Sequence, residues 1–152
     1  MEVTIRPARP EDVPAMLELV RELAVFEKEP EAVTVTEAGM LDAEAGEKPV
    51  WWGWVAEGLE ESSQSRKSEA GHRSIVGIAV CYERYSTWRG RVGYLEDIVV
   101  THRVHGQGVG EKLFKACAGE CVCGGSPSPG RCSIGTRAIR LHKALRSELS
   151  SE

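Results

Sequence analysis

Three glycines stand at alternate positions, Gly106, Gly108 and Gly110, between a β-rich stretch and a stretch with helical periodicity. A glycine-rich turn in that place exposes backbone N–H groups at a helix N-terminus, and these donors together with the helix dipole bind phosphate groups. The segment lacks the lysine of a nucleoside-triphosphatase loop, and it follows several strands rather than a first strand. The pattern alone therefore leaves two interpretations open, a phosphate-binding loop and a tight turn.

The rest of the sequence supplies the elements that must position these groups. Apolar residues at three- and four-residue intervals predict a helix that has Pro10 in its first turn and ends near Phe26. A shorter helix is predicted between Thr36 and Gly46. Strands are predicted at 2–6, 50–56, 75–85 and 92–100, with Gly90 in a hairpin turn and a polar, flexible loop at 58–72. This order of elements predicts an α+β domain.

Composition limits the class of protein. The chain has 152 residues, 41% of them hydrophobic, and a net charge of −4, which fits a single domain over 1–152 and excludes a disordered chain. The mild acidity argues against binding of nucleic acid through bulk positive charge. No apolar run is long enough to span a membrane, and the N-terminal residues lack the apolar core of a signal peptide. We therefore expect a cytoplasmic protein.

The cysteines are unevenly distributed, since four of the five lie between Cys117 and Cys132. An odd number crowded into one region is atypical of a secreted disulfide framework. The spacing also lacks the paired C-x2-C motifs of zinc sites. We therefore expect free thiols and no metal.

Several motifs together resemble one family. YLEDIVV at 94–100, a five-residue spacer and GQGVGEKLF at 106–114 are similar to the acetyl-CoA-binding core of the GNAT N-acetyltransferase superfamily. IRPARPED, AVFEKEP and YSTW extend the similarity to the diamine acetyltransferases, of the spermidine/spermine and thialysine types. The resemblance covers about residues 3–118 and returns at 136–152. It implies the GNAT fold, a mostly antiparallel mixed sheet flanked by helices, and a homodimer. It also implies acetyl-CoA-dependent transfer of acetyl to a primary amine of a small cationic diamine, polyamine or thialysine-like substrate.

The resemblance also implies roles for individual residues. Glu96 matches the carboxylate that removes a proton, through water, from the attacking amine, and His142 falls where the family has a tyrosine that protonates the departing thiolate. In such a reaction a carboxylate attracts the cationic amine and accepts its proton as the amine attacks, and backbone N–H donors stabilise the oxyanion. The alternative for Glu27, Glu96 and Asp97 is a solvated carboxylate at a strand end or in a loop. The positions that match the amine site are Phe26, Glu27, Trp88, Glu96 and Asp97. Those that match the pantetheine strand and the diphosphate loop are Ile98, Val99, Val100, Gly106, Gln107, Gly108, Val109, Gly110 and Glu111.

The sequence departs from the family pattern in several places. His105 stands where the family loop carries Arg or Gln, and a histidine holds a diphosphate less well than arginine does. His142 replaces the tyrosine. Residues 119–135 are irregular and contain Pro127 and Pro129, so we expect the family's next strand to be lost or displaced to a sheet edge.

The chain stops at Glu152, whereas members of the family continue through two further strands, so we expect the fold to lack its last strands. These departures leave one alternative open: a catalytically impaired member that binds CoA or a partner subunit. A second alternative is an enzyme of the same fold that acetylates protein amines, against which the acidic site residues argue. One possible set of codons for residues 131–136 encodes Val-Leu-Asp-Trp-Asn when it is read from its third base. In the family, the corresponding strand ends in this sequence. We therefore hypothesise an out-of-frame stretch in this segment.

Overall fold

The structure is a computed structural model that describes residues 2–45, 47–60, 72–88, 90–123 and 132–134. Three single-turn helices, at Pro10–Asp12, Pro30–Ala32 and His102–Val104, connect its longer elements. The longer elements, in chain order, are β1 (Val3–Pro7), α1 (Val13–Phe26), α2 (Glu37–Glu44), β2 (Trp52–Glu60), β3 (His72–Ser86), β4 (Gly90–Val100), α3 (Val109–Cys123) and β5 (Cys132–Ile134).

The described strands form one sheet in the order β1-β2-β3-β4-β5. The first four are antiparallel to their neighbours, and β5 runs parallel to β4 at the edge, where Cys132–Ile134 pairs with Gly93–Leu95. The predicted α+β architecture with a mostly antiparallel mixed sheet is therefore confirmed. The segment whose strand was expected to be lost or displaced to a sheet edge contains a three-residue strand, and this strand lies at the edge of the described sheet.

Helices cover both faces of this sheet. α1 packs against one face in a cluster with Val55, Ile78 and Val99, and α3 packs against the other in a cluster with Ala79 and Leu95. Most of the apolar stripe that predicted α1 is buried, and Val20 is partly buried. The buried residues of α1 are Val13, Met16, Leu17, Leu19, Leu23 and Ala24.

An ion-pair network fixes the beginning of α1 to the sheet. The Arg6 guanidinium donates to both oxygens of Asp12, each at 2.8 Å, and its Nε donates to Oε1 of Glu57 at 2.6 Å. Burial alone would raise the pKa of Asp12, but hydrogen bonds from Arg6 and from the backbone N–H of Arg9 outweigh it and lower that pKa. The hydrogen bond from Arg6 also lowers the pKa of Glu57. Both carboxylates are thus held ionised at neutral pH, and α1 is tied to β1 and β2.

Two predicted segments are shorter than expected. β2 continues to Glu60 and β3 begins at His72, so the predicted loop at 58–72 is wrong at both ends, because pairing between the two strands extends into the polar sequence. Likewise α3 continues to Cys123 and β5 occupies Cys132–Ile134, inside the segment predicted as irregular at 119–135. Residues 61–71 and 124–131 lie outside the described residues.

Cys81 and Cys117 lie in the α3 cluster, with their sulfur atoms 3.0 Å apart. The side chains of the other three cysteines lie outside the part of the chain described at side-chain level. Within the described residues, no group of three His, Cys, Asp or Glu side chains is arranged to hold a metal ion. No helix in those residues has the length and apolar character needed to cross a bilayer.

Candidate active site

The centre of β4 contains a β-bulge at Glu96. Val80 of β3 pairs with Asp97 and Cys81 pairs with Leu95, so Glu96 has no opposing residue on β3. A bulge adds one residue to one strand and changes the direction in which the following side chains point. Glu96, the predicted general base, is that added residue.

The bulge decides which face of the sheet the next residues occupy. In a regular strand Leu95, Asp97 and Val99 would all share one face. Here Leu95 packs in the α3 cluster, whereas Asp97 lines a cleft beside α1 and Val99 packs in the α1 cluster. The extra residue therefore brings the Asp97 side chain to the α1 face, where it is 8% exposed.

The cleft between the end of α1 and β4 has a volume of about 310 Å³. Its wall combines apolar side chains with three carboxylates, and none of the described residues that line it is basic. This environment attracts a cation with an apolar stem. The lining residues are Val20, Leu23, Ala24, Glu27, Glu29, Ala32, Val33 and Asp97.

A left-handed residue, Lys28, lies between two of these acids at the end of α1. The N–H of Lys28 donates to the carbonyl of Val25 at 3.1 Å, and the N–H of Glu29 donates to that of Ala24 at 2.8 Å. This pair of bonds is the Schellman arrangement, which requires positive φ at the residue after the cap. Lys28 has φ 61°, and both Glu27 and Glu29 line the cleft. Sequence reasoning missed Glu29, because the glycine that usually marks such a helix end is absent.

Tyr82 is electrostatically coupled to Glu96. Burial raises the pKa of the Tyr82 phenol, and the negative charge of Glu96 raises it further. The Tyr82 ring also packs against that of Tyr94, with centroids 5.1 Å apart. Tyr82 therefore stays protonated at neutral pH beside the predicted base.

The glycine-rich segment forms a loop that ends at the N-terminus of α3. Gly106 and Gly108 have φ of 77° and 76°, in the left-handed region that favours glycine, and α3 begins at Val109. The N–H of Lys112 donates to the carbonyl of Gly108 at 3.1 Å, so the earlier N–H groups of the helix have no acceptor within it. These groups form an arrangement that fits a diphosphate.

This loop lies against the end of β4. A Cβ atom built on Gly110 would contact Val100 Cγ2 at 3.7 Å and Ile98 Cγ2 at 4.0 Å. Among the described strands, β4 has a neighbour on its second side only at Gly93–Leu95, so the backbone beyond Glu96 presents an open edge there. His105 is directed inwards, with Nε2 2.7 Å from the carbonyl oxygen of Val100. An open strand edge next to a helix N-terminus fits the extended arm and the diphosphate of acetyl-CoA.

Comparison with known proteins identifies the family. A model described as the acetyltransferase (GNAT) family matches residues 16–145. The chain belongs to this family. A bovine (Bos taurus) thialysine N-epsilon-acetyltransferase is 37% identical over 149 residues, which span 96% of this chain and 84% of the relative. The human (Homo sapiens) spermidine/spermine N(1)-acetyltransferase-like protein 1 is 34% identical over 124 residues, or 78% of this chain and 17% of that protein.

Solved structures share the fold of this GNAT acetyltransferase. An aminoglycoside acetyltransferase from an uncultured soil metagenomic sample, crystallised with sisomicin, superposes with a TM-score of 0.61 at 14% identity over 99% of this chain and 88% of that one. An acetyltransferase from Trypanosoma brucei superposes with a TM-score of 0.60 at 20% identity, over 96% of this chain and 91% of that one. The family match and the bovine relative, rather than these structures, show that the chain is an N-acetyltransferase, and its family uses acetyl-CoA.

Two of the remaining predicted site residues of this acetyltransferase, Phe26 and Trp88, do not line the cleft. Phe26, the last residue of α1, is 57% exposed and is not among the described residues that line the cleft. Trp88 is 94% exposed at the tip of the β3–β4 hairpin. Asp97 is seven steps along β4 from Gly90, a distance of about 24 Å at about 3.4 Å per residue. His142 lies outside the described residues.

Proposed function

We propose that this acetyltransferase transfers the acetyl group of acetyl-CoA to a primary amine of a small cationic substrate, a diamine, a polyamine or a thialysine-like amine. The observation that supports this substrate class is the cleft with Glu27, Glu29 and Asp97 in its wall, next to the bulge at Glu96. The names of the bovine and human relatives, which refer to thialysine and to spermidine/spermine, agree with it.

Deprotonation of the amine is the step for which carboxylates are needed. A primary amine with a pKa near ~10.4 is uncharged in about one molecule in two thousand at neutral pH, which corresponds to roughly 4–5 kcal/mol. The carboxylates of the cleft hold the ammonium form, and Glu96 accepts the proton, directly or through one water, as the nitrogen attacks. Tyr82, protonated beside Glu96, is placed to donate a hydrogen bond in the same region.

Acetyl-CoA supplies the electrophilic thioester carbonyl and the thiol leaving group. The N–H groups of Gly108, Val109, Gly110 and Glu111 are proposed to hold its diphosphate, since negative charge is favoured at a helix N-terminus. The open edge of β4 at Ile98–Val100 is proposed to bind the pantetheine arm through backbone hydrogen bonds. The Glu111 side chain itself pairs with Lys115 at 2.6 Å, so its proposed contribution is its backbone N–H.

Other parts of the proposal rest on the family resemblance alone. They are proton donation to the thiolate by His142, contacts of Phe26 and Trp88 with the amine, and a homodimer. The proposed cytoplasmic location rests instead on the short apolar runs and the cysteine pattern of the sequence. Replacement of His142 by Ala tests the first of these, because turnover equal to that of the wild type would remove the proton-donor role.

A thiol-release assay with acetyl-CoA and a panel of amines tests the proposed reaction. We expect amine-dependent release of CoA with a diamine, a polyamine and thialysine, and weaker release with a peptide that carries an N-terminal amine. Glu96→Gln keeps the shape of the side chain and removes its basicity, so kcat should fall by about 10²–10⁴-fold. Glu18→Ala, an exposed position elsewhere on α1, is the control. Binding of acetyl-CoA without amine-dependent thiol release would support the catalytically impaired alternative.

A further inference from the structure

Glu22 of α1 binds the turn that connects β4 to α3. Its carboxylate accepts a hydrogen bond from the Thr101 hydroxyl, with distances of 3.1 and 3.3 Å to its two oxygens. It also accepts the backbone N–H of His102 at 2.9 Å. These contacts join positions 79 and 80 residues apart in the sequence, and no motif in the sequence indicates them.

The carboxylate takes the place of a local helix cap. Thr101 is the N-cap residue of the single-turn helix His102–Val104, but its side chain makes no capping hydrogen bond to that helix. Glu22 instead accepts the first N–H of the turn, which the turn itself cannot satisfy. The backbone N–H of Thr101 donates to the carbonyl of Val76 at 2.8 Å, so the same residue is also fixed to β3.

The turn leads directly into the glycine loop. Only Arg103, Val104 and His105 separate His102 from Gly106. The far end of the turn is held by the contact of His105 Nε2 with the Val100 carbonyl at 2.7 Å. Since Val104 is also buried, a shift of the start of the turn is transmitted to the loop rather than absorbed in between. The next residue along α1 after Glu22 is Leu23, which lines the amine cleft.

We propose that Glu22 is a positioning residue that sets the glycine loop for acetyl-CoA and connects it to the helix that forms the amine cleft. The inference rests on the proposed role of Gly106–Gly110 in binding the diphosphate. The contacts require acceptors in the right place, and they do not require a full negative charge. A glutamine meets this requirement, because its amide oxygen accepts the His102 N–H and its amide nitrogen donates to the Thr101 hydroxyl.

Steady-state kinetics of three variants test this role. We expect Glu22→Ala to raise the KM for acetyl-CoA about five- to tenfold, with kcat and the KM for the amine within about twofold of the wild type. Glu22→Gln should restore the KM for acetyl-CoA to within about twofold. Glu18→Ala removes an exposed carboxylate one turn earlier on α1 and should leave all three parameters unchanged. Thermal unfolding of each variant, together with calorimetric titration by acetyl-CoA, separates loss of folding from loss of binding.

Several results would overturn the inference. One is a KM for acetyl-CoA in Glu22→Ala that equals that of the wild type. Another is a Glu22→Ala variant in which kcat falls and the KM values for acetyl-CoA and for the amine both rise to the same extent, which would indicate a merely structural role. Failure of Glu22→Gln to restore binding would also contradict it. Gly108→Ala separates this failure from failure of the proposed function. If Gly108→Ala weakens acetyl-CoA binding and Glu22→Ala does not, only the inference is wrong; if neither does, the loop assignment is wrong.

Discussion

Gly108 allows the most direct test of the glycine loop, because its conformation and its surroundings separate two effects. Its φ is 76°, and a Cβ atom added there would meet nothing within 4 Å. Gly108→Ala therefore introduces no clash, and its cost is the backbone strain of a left-handed residue, about 1–2 kcal/mol. For a chain of this length we expect the Tm to fall by about 2–8 °C.

The effect on acetyl-CoA is separate from that on stability. To relieve the strain the loop must rotate, and this turns N–H donors away from the diphosphate. Loss of one charge-assisted hydrogen bond, worth about 1.5 kcal/mol or more, corresponds to about a tenfold or larger rise in the KM for acetyl-CoA. The assay is steady-state thiol release with acetyl-CoA varied at saturating amine.

Two other glycines provide matched controls. Gly90 has φ 77° and open space around its Cα, but it lies at the start of β4 in the β3–β4 hairpin. Gly90→Ala should lower the Tm to the same extent as Gly108→Ala and leave the KM for acetyl-CoA unchanged. Gly110 is helical, and its added Cβ would make ordinary contact with Val100, so Gly110→Ala should not lower the Tm. Equal KM values for acetyl-CoA in Gly108→Ala and Gly90→Ala would refute the loop assignment, and an unchanged Tm in both would refute the strain argument.

Four further predictions concern the cleft, the sheet, the ion pairs and the gene. Glu29→Gln should raise the KM for a diamine several-fold and leave that for acetyl-CoA unchanged in the thiol-release assay, and no change would exclude Glu29 from the amine site. Gly53→Ala would place a Cβ 2.3 Å from the Ala79 carbonyl oxygen, so β2 and β3 must separate. We expect the free energy of unfolding, measured with denaturant, to fall by more than about 2 kcal/mol, and an unfolding midpoint equal to that of the wild type would contradict this. The pKa of Asp12 is lower in the folded state than in the unfolded chain, so below about pH 4 the unfolded chain binds more protons and the Tm should fall as the pH falls. Asp12→Asn should lower the Tm at neutral pH and make the Tm depend less on pH in the acidic range. Sequencing of the coding DNA for residues 131–136 tests the frame hypothesis, which fails if no alternative frame reads Val-Leu-Asp-Trp-Asn.

Much of the fold followed from local sequence. The stripe of apolar residues predicted α1 to end near Phe26, and the helix ends at that residue. Thr36 was predicted to begin the second helix, and its side chain accepts the N–H of Gly39 at 3.1 Å as an N-cap. Such features depend on residues within one or two turns of each other, so their physical cause is contained in a short stretch of sequence.

Residue type and spacing also indicated the glycine loop, and the resemblance of several sequence motifs to a known family indicated the carboxylates. Only the tertiary structure decided how they are arranged. The bulge at Glu96 exists in the pairing of β4 with β3, and without it Asp97 would face α3. Glu29 reaches the cleft because Lys28 adopts a left-handed conformation, and Glu22 contacts a turn 80 residues away. Strand register, helix ends without glycine and contacts between distant elements are set by packing energies summed over the whole domain, which no local pattern contains.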